Sequence, residues 1–277
     1  MLIDRKSAKV TNYWFGIVWL AVAVLLILAG PLLAADRAED ESTYFVQITD
    51  THFDEPGSEE RIKKIINAVN NLPMKIECVI HTGDITQEKM EDTSVVRRAL
   101  ELYREFDMPV YFVPGNHDIF GKRYLETKQA YVEQFGDLSA LHEHNGLLFL
   151  LLFTEPLAHA YEDESYDPLH ELEAGLKKAA GKPVIVCHHT PSVDDFYNNR
   201  MHRGWRKEIQ KKWIDLLNQY EVKAVLAGHF HRDEHHWLGN VPLYISAPVS
   251  AYWGRQLTFR IYEYKDGKLG YRTQYIQ

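Results

Sequence analysis

An α/β fold is predicted for the body of this chain by two observations. Short runs rich in Val, Ile and Phe alternate with stretches whose apolar residues recur at helical spacing. The chain is also large and apolar enough, at 277 residues with 45% hydrophobic, to bury one substantial core. No internal repeat, low-complexity tract or Pro/Gly/Ser linker interrupts residues 36–277, which read as a single domain.

The first 35 residues are a different material. Arg5, Lys6 and Lys9 precede an uncharged apolar run from Tyr13 to Ala29, and Leu33-Ala34-Ala35 leads into the acidic stretch that starts at Asp36. Residues 1–35 are expected to be a signal peptide or an N-terminal membrane anchor. Either reading leaves the positive end in the cytoplasm and carries the rest across, so the expected location is extracytoplasmic: secreted, periplasmic or membrane-anchored. The membrane is then a partner only if the segment is retained. Lys and Arg total 31 against 39 Asp and Glu, a net charge of -8, so no nucleic-acid polymer is expected as a partner. The two cysteines, Cys78 and Cys187, sit in apolar runs and read as buried free thiols, with a disulfide as the lesser alternative.

Past residue 42 the strands read in order as TYFVQITD, KIECVIHTGD, MPVYFVPGNHD, GLLFLLLFT, KPVIVCHH and VKAVLAGHFH, followed by a closing set, PLYISAP, QLTFRIYEY and KLGYRTQYI, the last two joined by KDG. Helical stripes fall between them: Ile62, Ile65, Ile66 and Val69; Val96, Leu100 and Tyr103; and Trp205, Ile209, Trp213, Leu216 and Tyr220. Five strands end in carboxylate, amide or imidazole groups, and ligands of open α/β sheets bind at that edge. Asp50 and His52 are spaced by two, as are His229 and His231, so each pair is expected to project to one side of its strand. Asp84 closes the second strand, Asn116, His117 and Asp118 the third, and His188 and His189 the fifth. Oxygen and nitrogen donors without thiolates suit Mn, Fe, Zn, Co or Ni.

These blocks resemble the calcineurin-like metallophosphoesterases: Asp50-Thr51-His52, Gly83-Asp84, Gly115-Asn116-His117-Asp118, His188, and Gly228-His229-Phe230-His231. Their wording is most similar to the branch that includes bacterial cyclic-nucleotide phosphodiesterases. The resemblance implies two stacked mixed β-sheets flanked by helices, a calcineurin-like αββα sandwich. It also implies two metal ions, one on Asp50, His52, Asp84 and His231 and the other on Asp84, Asn116, His188 and His229. Of the neighbours His188 and His189, which face opposite sides of a strand, the first is the one that aligns. The sequence GDITQEK lacks the tyrosine ligand of purple acid phosphatases, which argues against a charge-transfer ferric site.

The implied activity is metal-dependent hydrolysis of a phosphate ester, a diester or a monoester, by a hydroxide bridging the two ions. A carboxylate shared at Asp84 would offset the repulsion of the two cations. His117 is the expected proton donor to the leaving oxygen, with Asp118 as its orienter. Gly83, Gly115 and Gly228 are expected to let the backbone turn sharply beside the ions. The segment 194–208 gathers Arg200, His202, Arg203, Trp205 and Arg206; of these, Arg200, His202 and Arg203 are candidates for gripping the substrate. The alternative function is a membrane-tethered module that binds metal with little or no turnover.

A reporter enzyme fused after residue 277 should be active outside the cytoplasm, because the positive flank precedes the apolar run. Activity confined to the cytosol would contradict this orientation, and mass spectrometry of the mature N-terminus separates cleavage near Asp36 from a retained anchor.

Overall fold

A computed structural model of the chain describes residues 42–159, 161, 165–196, 202 and 204–277, with Lys122 described in its backbone only. The N-terminal basic and apolar segment therefore lies outside the described residues, as do Arg200 and Arg203. Among the described residues, no helix is long and apolar enough to cross a membrane.

Thr43–Gln277 forms a compact unit of two facing sheets. The first sheet has the order β11-β10-β1-β2-β3, built from β1 (Thr43–Ile48), β2 (Ile76–His81), β3 (Val110–Phe112), β10 (Thr258–Lys265) and β11 (Lys268–Tyr275). The second runs β4-β5-β6-β7-β9-β8, from β4 (Ser139–His144), β5 (Leu147–Leu152), β6 (Val184–Cys187), β7 (Val222–Ala227), β8 (Glu234–Leu238) and β9 (Val241–Ile245). β1, β2 and β3 are mutually parallel, as are β5, β6, β7 and β9, and antiparallel strands close the edges of both sheets except at β3. The hairpin β10–β11 turns on Asp266 and Gly267, both at positive φ, as the KDG signal requires.

Strand alternation divides the core into three layers. Phe45, Cys78, Ile80, Phe149, Leu151, Ile185, Cys187 and Leu226 point between the sheets, where the rings of Phe45 and Phe149 meet edge-to-face at 4.8 Å. The even-numbered residues of β1, Val46 and Ile48, turn outward to α1 (Ser58–Asn70) and α2 (Thr93–Tyr103). On the second sheet Val184 and Val186 turn outward to the apolar faces of two later helices, Pro168–Lys178 and Lys207–Gln219. In chain order the remaining helices are α3 (Tyr124–Phe135), the single turn α4 (Glu155–Ala158), α5 (Pro168–Lys178) and α6 (Lys207–Gln219). Each large apolar side chain fully withdrawn from water contributes roughly 1.5–3 kcal/mol, so this three-layer burial is the main favourable term in stability.

The first two helical stripes fall on α1 and α2, the latter capped by Asp92, whose side chain accepts from the Ser94 and Val95 amides. The third is corrected in detail. Trp205 precedes α6 rather than lying on it, and Leu217 rather than Leu216 is fully buried. The strands β4 and β8, and helices α3 and α5, were not among the expected elements. β4 and β8 are edge strands with half-exposed patterns, so polar residues dilute their period of two.

Both cysteines are buried free thiols between the sheets, and burial pushes their pKa values up. Neither should react with a thiol reagent in the native protein at neutral pH, and both should react in denaturant. One thiol titrating rapidly before unfolding would contradict this packing.

Candidate metal centre

All five expected strand ends converge where the two sheets open. β1 stops at Ile48, β2 at His81, β3 at Phe112, β6 at Cys187 and β7 at Ala227, each a few residues short of its chemistry. Asp50 and His52 thus lie past the strand, and so do His229 and His231. Strand alternation does not aim them: Asp50, His52, Asp84, His229 and His231 all adopt positive φ, between 40° and 69°. Such conformations cost on the order of 1–3 kcal/mol each for residues with a Cβ, so the surrounding structure must hold them. The backbone does so directly, with Asp50 N donating to Gly83 O at 2.9 Å and His52 N to Asp84 O at 3.1 Å.

Asp50, His52, Asp84 and His231 form one buried donor group; Asp84, His189 and His229 form a second, with Asp84 common to both. The His231 Nε2 is 3.0 Å from Asp50 Oδ1, the His189 Nε2 is 3.1 Å from Asp84 Oδ2, and the His52 Nε2 is 3.9 Å from the same oxygen. Asn116 joins the second group through Oδ1, 3.2 Å from His189 Nε2.

The neighbouring oxygens that are not aimed inward are already occupied. The Asp84 Oδ1 accepts from the His117 amide at 2.8 Å, and the Asp50 Oδ2 accepts from Thr49 Oγ1 at 2.6 Å and from the His229 amide at 3.1 Å. On the imidazole of His189, Nδ1 faces the Thr82 carbonyl at 2.7 Å, which places the ring hydrogen there and leaves Nε2 as a donor atom.

His188 is corrected. Its ring packs outward between Trp205 and Trp213, at centroid distances of 5.5 and 5.2 Å, and belongs to neither donor group. The reason is parity: His189 follows Ile185 and Cys187 to the layer between the sheets, while His188 follows Val184 and Val186 to the helix side. Burial depresses the His188 pKa to about 3, so it is a neutral packing group.

Asp118 is corrected as well. Its carboxylate accepts from the amides of Ile85, Thr86 and Gly115 and does not meet the His117 ring. It braces the two loops that carry Asp84 and Asn116. The acid facing His117 is Glu88, whose Oε1 lies 3.7 Å from Nδ1. All three glycines serve close approach, and Gly83 also has φ 97°, with a Cβ there lying 2.5 Å from His189 Nδ1. A Cβ at Gly115 would lie 2.2 Å from Asp84 Oδ1, and one at Gly228 2.6 Å from Asp50 Oδ2. Of the expected substrate residues, His202 stands at the rim with its ring 4.8 Å from that of His229.

The donor set fits metal ions. The His52 imidazole is buried with neither ring nitrogen hydrogen-bonded among the described residues, and burial lowers its pKa to about 4, which keeps its lone pair free of a proton. Burial alone would raise the Asp84 pKa, but the His189 imidazole outweighs it and holds the carboxyl well below the usual range. Two buried carboxylates ringed by imidazoles need compensating positive charge, and hard oxygen with borderline nitrogen donors suits first-row divalent ions.

His189→Ala should lower bound metal, while His188→Ala should keep metal content near wild type and instead lose about 1–3 kcal/mol of stability through the cavity left between the two indoles. Elemental analysis and thermal unfolding check both. Loss of metal from the His188 variant with the His189 variant fully loaded would reverse the assignment.

Residues 43–233 match the family model for calcineurin-like phosphoesterases. The chain is 27% identical over 246 residues to the serine/threonine-protein phosphatase CPPED1 of Mus musculus, covering 76% of this chain and 77% of that protein. It is 29% identical over 204 residues to a probable glycerophosphodiester phosphodiesterase, GpdQ, of Arcobacter nitrofigilis, covering 68% and 71%. It is also similar to a 3',5'-cyclic adenosine monophosphate phosphodiesterase of Haemophilus influenzae, at 25% identity over 71% of this chain and 73% of that one. Its fold superimposes on the crystal structure of a dimetal phosphatase from Danio rerio with a TM-score of 0.60 and 15% identity, over 86% of this chain and all of the other. With two facing sheets, an Asp/His cluster at their opening and a family match that spans most of the domain, this chain belongs to the calcineurin-like phosphoesterases.

Proposed function

We propose that this protein is a hydrolase of phosphate esters that works with two metal ions, one held by Asp50, His52, Asp84 and His231 and the other by Asp84, Asn116, His189 and His229. The observation that carries this reading is the sharing of Asp84 between the two donor groups. A pair of ions so held would supply Lewis acidity at the phosphoryl oxygens and an acidified water as nucleophile.

The chain's own groups do the rest. Asp50 and Asp84 set the negative charge of the cage, and the neutral Asn116 amide adds an oxygen without adding charge. Burial of Asp50, His52, Asp84 and His189 keeps bulk water from the inner part of the cage, which strengthens the interactions of the site with an anionic ester. His117 stands beside the cage and outside both donor groups, with its ring 5.3 Å from that of His52 and its side chain 30% exposed. That position suits a proton donor to the leaving oxygen, oriented by Glu88. His202 is the rim residue of the set; Asp195 accepts from its amide at 3.2 Å and faces its Nδ1 at 3.7 Å, which fixes the ring over the opening.

Removal of metal should abolish hydrolysis of bis-p-nitrophenyl phosphate, and one of Mn, Fe, Zn, Co or Ni should restore it. Failure of every metal on diesters and monoesters alike would favour a metal-binding module instead. If His117 donates the proton, His117→Ala should cost little when the leaving group is p-nitrophenolate and roughly 10²- to 10⁴-fold when it is an alkoxide, at unchanged metal content. Equal losses on both leaving groups would remove His117 from the acid role.

A further inference from the structure

The loop after β9 carries a pair of aromatic residues that the donor groups do not use. Tyr252 lies over His231, its ring 5.1 Å away and tilted by only 23°, and meets His52 edge-on at 5.0 Å. Trp253 follows, with its indole 5.1 Å from the His231 ring and 6.4 Å from the His202 ring. Its side chain nonetheless remains outside the core, at 58% exposure. Its backbone sits at φ 54° and ψ 29°, a left-handed conformation that bulky aromatic residues rarely take.

The loop is held in that shape from below. The Arg61 guanidinium of α1 donates to the carbonyls of Val249, Ser250 and Arg255. The amides of Val249 and Ser250 donate to the carbonyls of Thr49 and Asp50 at 2.9 and 3.1 Å. The loop that presents the indole is therefore bonded to the same turn that presents Asp50. An indole held in a costly conformation and left more than half in water adds less to folding than a fully buried ring would.

We propose that Tyr252 and Trp253 form an aromatic shelf at the mouth of the metal centre that stacks on a planar aromatic group in the non-leaving substituent of the phosphoester, as a nucleobase would provide. The inference rests on the phosphoesterase reading above and adds to it the class of group that the ester carries. Tyr252 is the fixed inner part of the shelf, with its hydroxyl donating to Gln87 Oε1 at 3.2 Å. Trp253 is the outer part, with more than half of its side chain exposed to solvent. Phosphorus held among the donor groups leaves its ester substituent within one ring's reach of the indole. Stacking on a π-face discriminates a base from a small alkyl group, which has no such face, and tolerates different bases. Arg61 is a positioning residue that acts through the loop.

Two diesters with the same leaving group separate the shelf from the chemistry: thymidine 5′-(p-nitrophenyl phosphate) and methyl p-nitrophenyl phosphate. With metal-loaded protein, Trp253→Ala should lower kcat/KM for the thymidine ester on the order of tenfold more than for the methyl ester, mainly through KM. Trp253→Phe should recover most of the difference, and Arg61→Ala should shift the ratio in the same direction as Trp253→Ala. Calorimetry should show thymidine 5′-monophosphate binding more weakly to Trp253→Ala than to wild type, with methyl phosphate affected less. Equal losses on the two esters, or a Phe variant no better than Ala, would overturn the shelf. Turnover of neither ester by the wild type would instead refute the phosphoesterase reading beneath it.

Discussion

The Asp84 carboxylate is the group on which the rest of the structure depends. It is buried where β1, β2, β3, β6 and β7 end, with Oδ2 facing His52 and His189 and Oδ1 taking the His117 amide. A buried charge of this kind is expensive unless several partners meet it. Its surroundings are built accordingly: Gly115 is a glycine because any Cβ would strike that carboxylate, and Asp118 ties the Ile85, Thr86 and Gly115 amides into one frame around it.

Backbone strain gathers at the same place. Asp50, His52, Asp84, His229 and His231 occupy left-handed conformations that ordinary loops give to glycine or asparagine. What offsets them is the three-layered core beneath, whose parallel strands stop just short of the donors and hold both ends of every turn. The strain is the geometric means by which sheets about a core's thickness apart turn several side chains toward one point.

Polar support extends outward in graded layers. The Thr82 carbonyl fixes the His189 tautomer, Thr49 and the His229 amide occupy the outer Asp50 oxygen, and Asp195 holds His202 at the rim. Each of these bonds removes one alternative orientation of a donor or of the rim residue, which is what lets a site select a geometry before any ion or ester arrives. The aromatic loop 249–255 is continuous with this support through its bonds to Thr49 and Asp50.

The sequence by itself determined the fold class and the order of the motif-bearing strands, because period-two apolar runs and their polar endings are local features that need no partner to be read, and the motif resemblance pointed to most of the candidate donors that the structure gathers. Asp50, His52, Asp84, His229 and His231 were legible in this way, although for a reason that the structure revises: left-handed turns, not strand alternation, aim them. The choice of His189 over His188 was within reach, since Cys187 and Ile185 share parity with His189, but only the stacking of one sheet on the other says which parity faces the centre. Glu88 in place of Asp118 beside His117, and Tyr252 and Trp253 over His231, were not legible at all. These neighbours lie some 20 to 30 residues apart in the chain and are brought together by loop conformation, and no local pattern encodes which side chain a folded loop sets against another.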